Sequence, residues 1–275
     1  DILLLPEMAL PGYLIGDGEG FLDKTSEYIC IEACEFRRHF LAYKLDYAII
    51  TNIEIDHVDY FKDETDYFNA YQELVRQIKK AVVYNGDDLW CQKLEFGNLD
   101  HYSYGLRSNN DFYPANIESD ERHTVFELKH EDKTLGIFDI PFVGNHLLMD
   151  ALGVIVMSYI HGFDLKEVNE AFNSYHGPKR RYVVEEYKDS VFIDDYAHHP
   201  TEVKVTLEAT RKRYPDRNIV AIFKPHRASR VKYFAEQFRD ALKLADNIYL
   251  LEFTSIDDKQ DGTDVNIDYL ANMIE

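Results

Sequence analysis

Short apolar runs alternate along this chain with longer stretches whose apolar residues recur every three or four positions. Residues 28–33 (YICIEA) and 47–53 (YAIITNI) are apolar and β-rich on successive positions, the pattern of strands buried on both faces of a parallel sheet. Residues 64–81 (ETDYFNAYQELVRQIKKA) follow the helical period, and AVVYNGDD then gives a strand and a turn. Between 100 and 140 the texture changes, and FYPANIE, HTVFELKH and TLGIFDI predict an antiparallel meander. An almost wholly apolar helix is expected over 145–163, ending near Gly162. A second helix follows over 164–175, with Asp164 as its N-cap. From residue 190 the order strand, helix, strand, helix, strand, helix recurs at close spacing. SVFIDDY, NIVAIF and NIYLLEF are the strands, and Pro200 sits in the first turn of the first helix.

The expectation is an α/β protein of two domains. Residues 1–177 form a central domain with a mainly parallel sheet and a small meander. Residues 178–275 form an incomplete Rossmann-like, doubly wound domain, and HGPKRRY (176–182) is the hinge. At 275 residues the chain is long enough for two cores. No run approaches the roughly 18–20 apolar residues that span a bilayer. The first residues, DILLLPEMAL, lack the basic start of a secretory signal. A net charge of −20 argues against a nucleic-acid partner, since like charges repel. Three cysteines suit no disulfide framework. Cys30 and Cys34 lack a second pair to complete a zinc site, so buried thiols in a reducing cytosol are expected.

Chemistry gathers where strands end. TNIEIDHVDYF (51–61) places Glu54, Asp56, His57 and Asp59 after one strand, and Glu32 and Glu35 follow another. Carboxylates with one imidazole can hold Mg²⁺, and the plain alternative is a solvated acidic loop with His57 paired to a neighbouring acid. DDYAHHPTE supplies Asp194, Asp195, Tyr196, His198 and His199, while FKPHRASR supplies Lys224, His226, Arg227 and Arg230. Together they suit an anionic substrate, because arginine binds carboxylate or phosphate in a bidentate manner. The alternative is that the two clusters pair with each other across the sheet edge. The run 179–181 (KRR) reads either as a solvated hinge or as cations aimed at a substrate.

In order, TNIEIDHVDYF, GNHLLMDA, GPKRRY, DDYAHHPTE and FKPHRASR resemble motifs of the Mur ligases. The likeness runs from about residue 12 to the end and is nearest to the branch that joins L-alanine to UDP-N-acetylmuramate. LIGDGEG and EACEFRRHFL look like the Gram-positive forms of that branch. The resemblance implies a cytoplasmic, ATP- and Mg²⁺-dependent amide ligase of peptidoglycan precursor synthesis, working through an acyl phosphate. Its partners would be small molecules, with no nucleic acid and no membrane. A murein-tripeptide recycling ligase and a non-catalytic binding protein on the same scaffold are the alternatives. By the same resemblance Glu32 and His57 fall at metal positions, and Asn52, His146, Asp150 and Asp195 at nucleotide positions. Arg181, Tyr196, His198, Arg227 and Arg230 fall at substrate positions, with His198, Arg227 and Arg230 as the catalytic set.

Departures from the family pattern are specific. Where the family has two asparagines that read adenine, this chain has Leu147 and Asp150, and Lys224 replaces the usual glutamine. No Gly-Lys-Thr or Gly-Lys-Ser phosphate loop occurs, and GDGEGF (16–21) lacks the lysine. The amino-terminal UDP-binding domain has no counterpart here. The resemblance therefore implies a piece of a longer ligase, unable to turn over ATP alone, or else a degenerate relative.

Overall fold

Strands form on the apolar runs because each supplies side chains for both faces of a covered sheet. The computed structural model describes residues 12–14, 20–21, 27–175, 180–252 and 265–274. Most of GDGEGF and the first part of the hinge, Lys179 included, lie outside them. The chain forms two compact units, Asp1–Glu54 with Glu64–His176, and Ile55–Asp63 with Gly177–Glu275. The short segment Ile55–Asp63 thus belongs with residues more than a hundred positions later, which no local pattern foretells.

In the first unit, β1 (Gly12–Leu14) pairs in parallel with β3 (Ile29–Ile31) and antiparallel with β2 (Gly20–Phe21). The larger sheet contains β4 (Tyr47–Ile50), β5 (Ala81–Asn85), β6 (Asp100–Tyr104), β7 (Phe112–Ser119), β8 (Thr124–His130) and β9 (Lys133–Ile140), in that spatial order. Its members β4 to β7 run parallel and β7 to β9 antiparallel. The meander is therefore an extension of the parallel sheet, and DHYSY, unremarked in the sequence, is the strand β6 next to it. Among the described residues, three α-helices accompany the sheet: α1 (Glu64–Gln77), α2 (Asn145–Ile160) and α3 (Leu165–Ser174).

Burial explains why α2 is apolar nearly all round. Leu148, Ala151, Leu152, Ile155 and Val156 are buried with Phe112, Phe126, Leu128, Phe138 and Ile140 of the strands in one core. Phe126 and Phe138 are cross-strand partners whose rings stack at 5.6 Å. Gly153 lets α2 come close to the sheet, since a Cβ there would lie 3.1 Å from Ile49 Cγ2 and from the Tyr104 ring. Gly162, at φ +76°, takes the left-handed turn after α2, and Asp164 caps α3 by accepting from Lys166 N–H at 2.9 Å.

The second unit holds a hairpin of β10 (Val183–Tyr187) and β11 (Ser190–Asp194), then α4 (Pro200–Arg213), β12 (Val220–Phe223), α5 (Ala228–Tyr233), α6 (Ala235–Leu242), β13 (Asn247–Leu250) and α7 (Ile267–Ile274). Strands β12 and β13 are parallel neighbours, joined through α5 and α6. Two details depart from expectation. The strand β11 pairs antiparallel with β10, a strand not among those expected, although VVEEY-KD-SVFID is a compact strand–turn–strand pattern. The helix expected from Ser229 breaks at Phe234 (φ −107°, ψ 22°) into α5 and α6. Phe223 and Phe238, with ring centroids 5.4 Å apart, join β12 to α6, and Leu270 of α7 is fully buried.

All three cysteines are free: Cys91 is buried and Cys30 partly so, but Cys34 is exposed, against the expectation for it. Among the described residues no helix is long and apolar enough to cross a membrane. Truncating Leu152, fully buried under the sheet, to alanine should cost about 2–5 kcal/mol of stability in a urea titration. Gly153→Ala should also destabilise, by roughly 1–3 kcal/mol, through overpacking.

Candidate active site

The second unit assembles its polar side chains at the carboxy-terminal ends of β11 and β12, and against them lies the segment Ile55–Asp63. Ile53 and Ile55 are buried, so the polar residues that follow are placed by apolar anchors. Backbone bonds from Tyr60 N–H and Phe61 N–H to the His57 carbonyl, at 2.8 and 3.0 Å, coil the segment into one helical turn. In such a turn residues three apart share a face, and Asp56 and Asp59 are three apart.

Both carboxylates meet arginines with the same spacing. Arg230 Nε donates to Asp56 Oδ1 at 2.8 Å and its Nη2 to Oδ2 at 2.7 Å, a bidentate pair in which the arginine side chain is only 2% exposed. Arg227 Nη1 donates to Asp59 Oδ2 at 2.8 Å. Two of these residues sit in the left-handed region, His57 at φ 50° and Arg227 at φ 69°. A positive φ such as that of His57 costs roughly 1–2 kcal/mol for a residue with a Cβ. Burial opposes ionisation of Asp56. The hydrogen bonds and charge of Arg230 outweigh it, helped by the charge and backbone N–H of His57, and hold the carboxyl well below the usual range.

A line of rings and cations continues from this pair. Arg230 Nη1 donates to the His226 carbonyl at 3.1 Å, and the His226 ring lies 6.2 Å from that of His198. His198 packs edge-on to Tyr196 at 5.1 Å, and the guanidinium groups of Arg180 and Arg181 lie 4.6 and 5.9 Å from the Tyr196 ring. His198 Nδ1 lies 2.9 Å from the Tyr196 carbonyl, which turns the ring back over its own turn. Lys224 is exposed.

Glu202 underpins the turn and was not singled out from the sequence, although Glu at the third position of a helix beginning His-Pro-Thr-Glu suggests a capping box. One of its oxygens accepts from His198 N–H at 2.8 Å and His199 N–H at 3.0 Å, and the other lies 3.6 Å from Arg181. Burial raises its pKa, but the charge of His198, these two N–H groups and Arg181 together lower it below the ordinary value. Asp195 is similarly engaged, accepting from Ala197 N–H at 2.7 Å, Tyr182 N–H at 3.0 Å and the Thr206 hydroxyl at 3.3 Å. Asp194, in contrast, ends β11 exposed.

The remaining candidates lie in the first unit. Glu32 is exposed just after β3, and Asn52 is exposed just after β4, accepting from the Thr51 hydroxyl at 3.2 Å. Asn85 Nδ2 donates to the Thr51 carbonyl at 2.8 Å, tying together the ends of β4 and β5. His146 and Asp150, one helical turn apart, share a face of α2 near its amino terminus. The Asp150 charge adds to burial in pushing Tyr175 up to about 12.

Glu32, in the first unit, offers a carboxylate oxygen, and His57, in the second, an imidazole nitrogen. Asp56 is already committed to Arg230. The arginines after β12 pair with the carboxylates of the segment 55–63, partners that neither reading of the two strand-end clusters named.

Residues 19–158 match the family model described as the Mur ligase middle domain, and residues 179–272 match the Mur ligase, glutamate ligase domain. Among solved structures, UDP-N-acetylmuramate–alanine ligase from Thermotoga maritima superposes with a TM-score of 0.70 at 21% identity, covering 96% of this chain and 68% of that one. The MurF ligase of the same organism, in complex with ADP, gives 0.69 at 19% identity, with 86% and 56% covered. A murein peptide ligase from Psychrobacter arcticus gives 0.61 at 21% identity, with 87% and 57% covered. At these identities the likeness shows the fold, and the chain spans little more than half the length of the latter two.

Because its carboxyl is depressed, Asp56 contributes stability that is complete above about pH 4 and lost as the pH falls further. Asp56→Asn should therefore cost about 3–5 kcal/mol at neutral pH, leaving Arg230 buried without its counter-charge. In urea titrations across a pH series, the gap between variant and parent should narrow below about pH 4.

Proposed function

This chain belongs to the Mur ligase family, and on that premise we propose that it serves an ATP-dependent ligase joining L-alanine to UDP-N-acetylmuramate in peptidoglycan precursor synthesis, in the cytoplasm. The observation that carries the proposal is the convergence of Arg181, Tyr196, His198, His226, Arg227 and Arg230 at two strand ends of one unit. A carboxylate and an amine do not condense spontaneously in water. The muramoyl carboxylate must first be activated as an acyl phosphate. The amine then attacks its carbonyl, phosphate departs, and the amine proton must be taken up.

Each side chain has a part that its chemistry supports. Arg227 already holds a carboxylate, that of Asp59, through one of its terminal nitrogens, and it would exchange that partner for the alanine carboxylate or the transferred phosphoryl group. Arg230, fixed by Asp56, supplies positive charge from a buried position. His198, its Nδ1 turned to a backbone carbonyl, presents its other nitrogen to orient the amine or receive its proton. Tyr196 and Arg181 line the same turn.

Mg²⁺, when bound by Glu32 and His57, would cancel phosphate charge. Asn52, His146, Asp150 and Asp195 are proposed for the nucleotide. Asp195 retains acceptor capacity beyond its three present donors. Asp150 can only accept at a base edge, where an asparagine could also donate.

The assay combines the protein, together with any residues its gene encodes on either side, with ATP, Mg²⁺, UDP-N-acetylmuramate and single amino acids. Phosphate release should depend on L-alanine, and Arg227→Ala should lower kcat/KM on the order of a hundredfold. Release that requires a murein tripeptide would reassign the substrate to the recycling reaction, and no amino-acid-dependent release would defeat the ligase reading.

A further inference from the structure

His199, the second imidazole of DDYAHHPTE, has no part in the chemistry proposed above, yet it is more deeply buried than His198. The residue is 7% exposed, and its ring packs edge-on against Phe234 with centroids 4.7 Å apart. Nδ1 accepts from Thr201 N–H at 3.3 Å, capping α4, and Nε2 lies 3.2 Å from the carbonyl oxygen of Ile55. A backbone N–H can only donate and a carbonyl can only accept. The two contacts therefore require a neutral ring with its proton on Nε2.

That proton reaches a residue 144 positions earlier in the chain. Ile55 opens the segment whose next residues are Asp56, held by Arg230, and His57, whose carbonyl receives the N–H groups of Tyr60 and Phe61. A bidentate ion pair fixes one carboxylate but leaves the backbone free to pivot about it. The Arg227–Asp59 pair holds the segment further along, and the hydrogen bond to the Ile55 carbonyl adds a point on the backbone itself. We propose that His199 is a positioning residue: through Ile55 it sets the placement of the segment 55–63, and with it the His57 imidazole and the carboxylates that face Arg227 and Arg230. The proposal leans on the ligase reading only for the task assigned to His57.

Two substitutions separate the halves of the ring. His199→Asn keeps a capping acceptor where Nδ1 stands, since Asn is a favoured N-cap, but is too short to reach Ile55. His199→Gln keeps a donor at the reach of Nε2 and gives up the cap. Amide hydrogen exchange on the 275-residue chain reads both ends. His199→Asn should speed exchange at Tyr60 and Phe61 roughly tenfold, with His199→Gln within about twofold of the parent there. At Thr201 the order should reverse. Unchanged exchange at Tyr60 and Phe61 in His199→Asn, or equal effects of both variants at both places, would overturn the proposal. The readout needs no turnover, so it decides the anchoring whatever the ligase assay returns.

Discussion

A buried guanidinium held by one carboxylate organises the carboxy-terminal unit. Arg230 is almost wholly removed from water, and charge can stay there only because Asp56 meets it with two hydrogen bonds and His226 with a third. Removing either partner strands the other. The pair also spans 174 positions of sequence, so it can form only when the distant segment arrives. Such a contact favours one arrangement of the chain over near alternatives, because a misplaced segment leaves a buried ion without its counter-charge.

The second ion pair repeats the logic at a shallower depth. Asp59 lies three residues after Asp56, and its partner Arg227 three residues before Arg230. Two matched pairs set direction as well as position. With the His199 bond to Ile55, three points of attachment hold nine residues to the unit formed by the far end of the chain. The chain consequently passes between the units more than once, leaving the first after Glu54 and returning to it at Glu64.

Adjacent residues in DDYAHHPTE divide their labour by burial and hydrogen bonding. Asp195 and His199 are engaged by backbone groups of the hairpin, the helix cap and Ile55, whereas Tyr196 and His198 face Arg180 and His226. Asp194 and Asp195 look alike in sequence and differ completely in place. Glu202 serves both groups, since it accepts from the two histidine amides while balancing Arg181.

Local periodicity determined most of the elements. The apolar runs became β4, β5, β12 and β13, the apolar helix before Gly162 became α2, and the Asp164 cap appeared as read, because each depends on residues within a few positions of one another. The clustering of charge at strand ends was equally legible, and so was the family. Tertiary structure alone decided which charge meets which, that DHYSY extends the parallel sheet, and that the segment Ile55–Asp63 joins the second unit. Those outcomes turn on pairing energies between groups far apart in the chain. A carboxylate three residues from another tells of a shared face but not of the arginine it will find. The partner is selected by burial, which only the packed chain supplies.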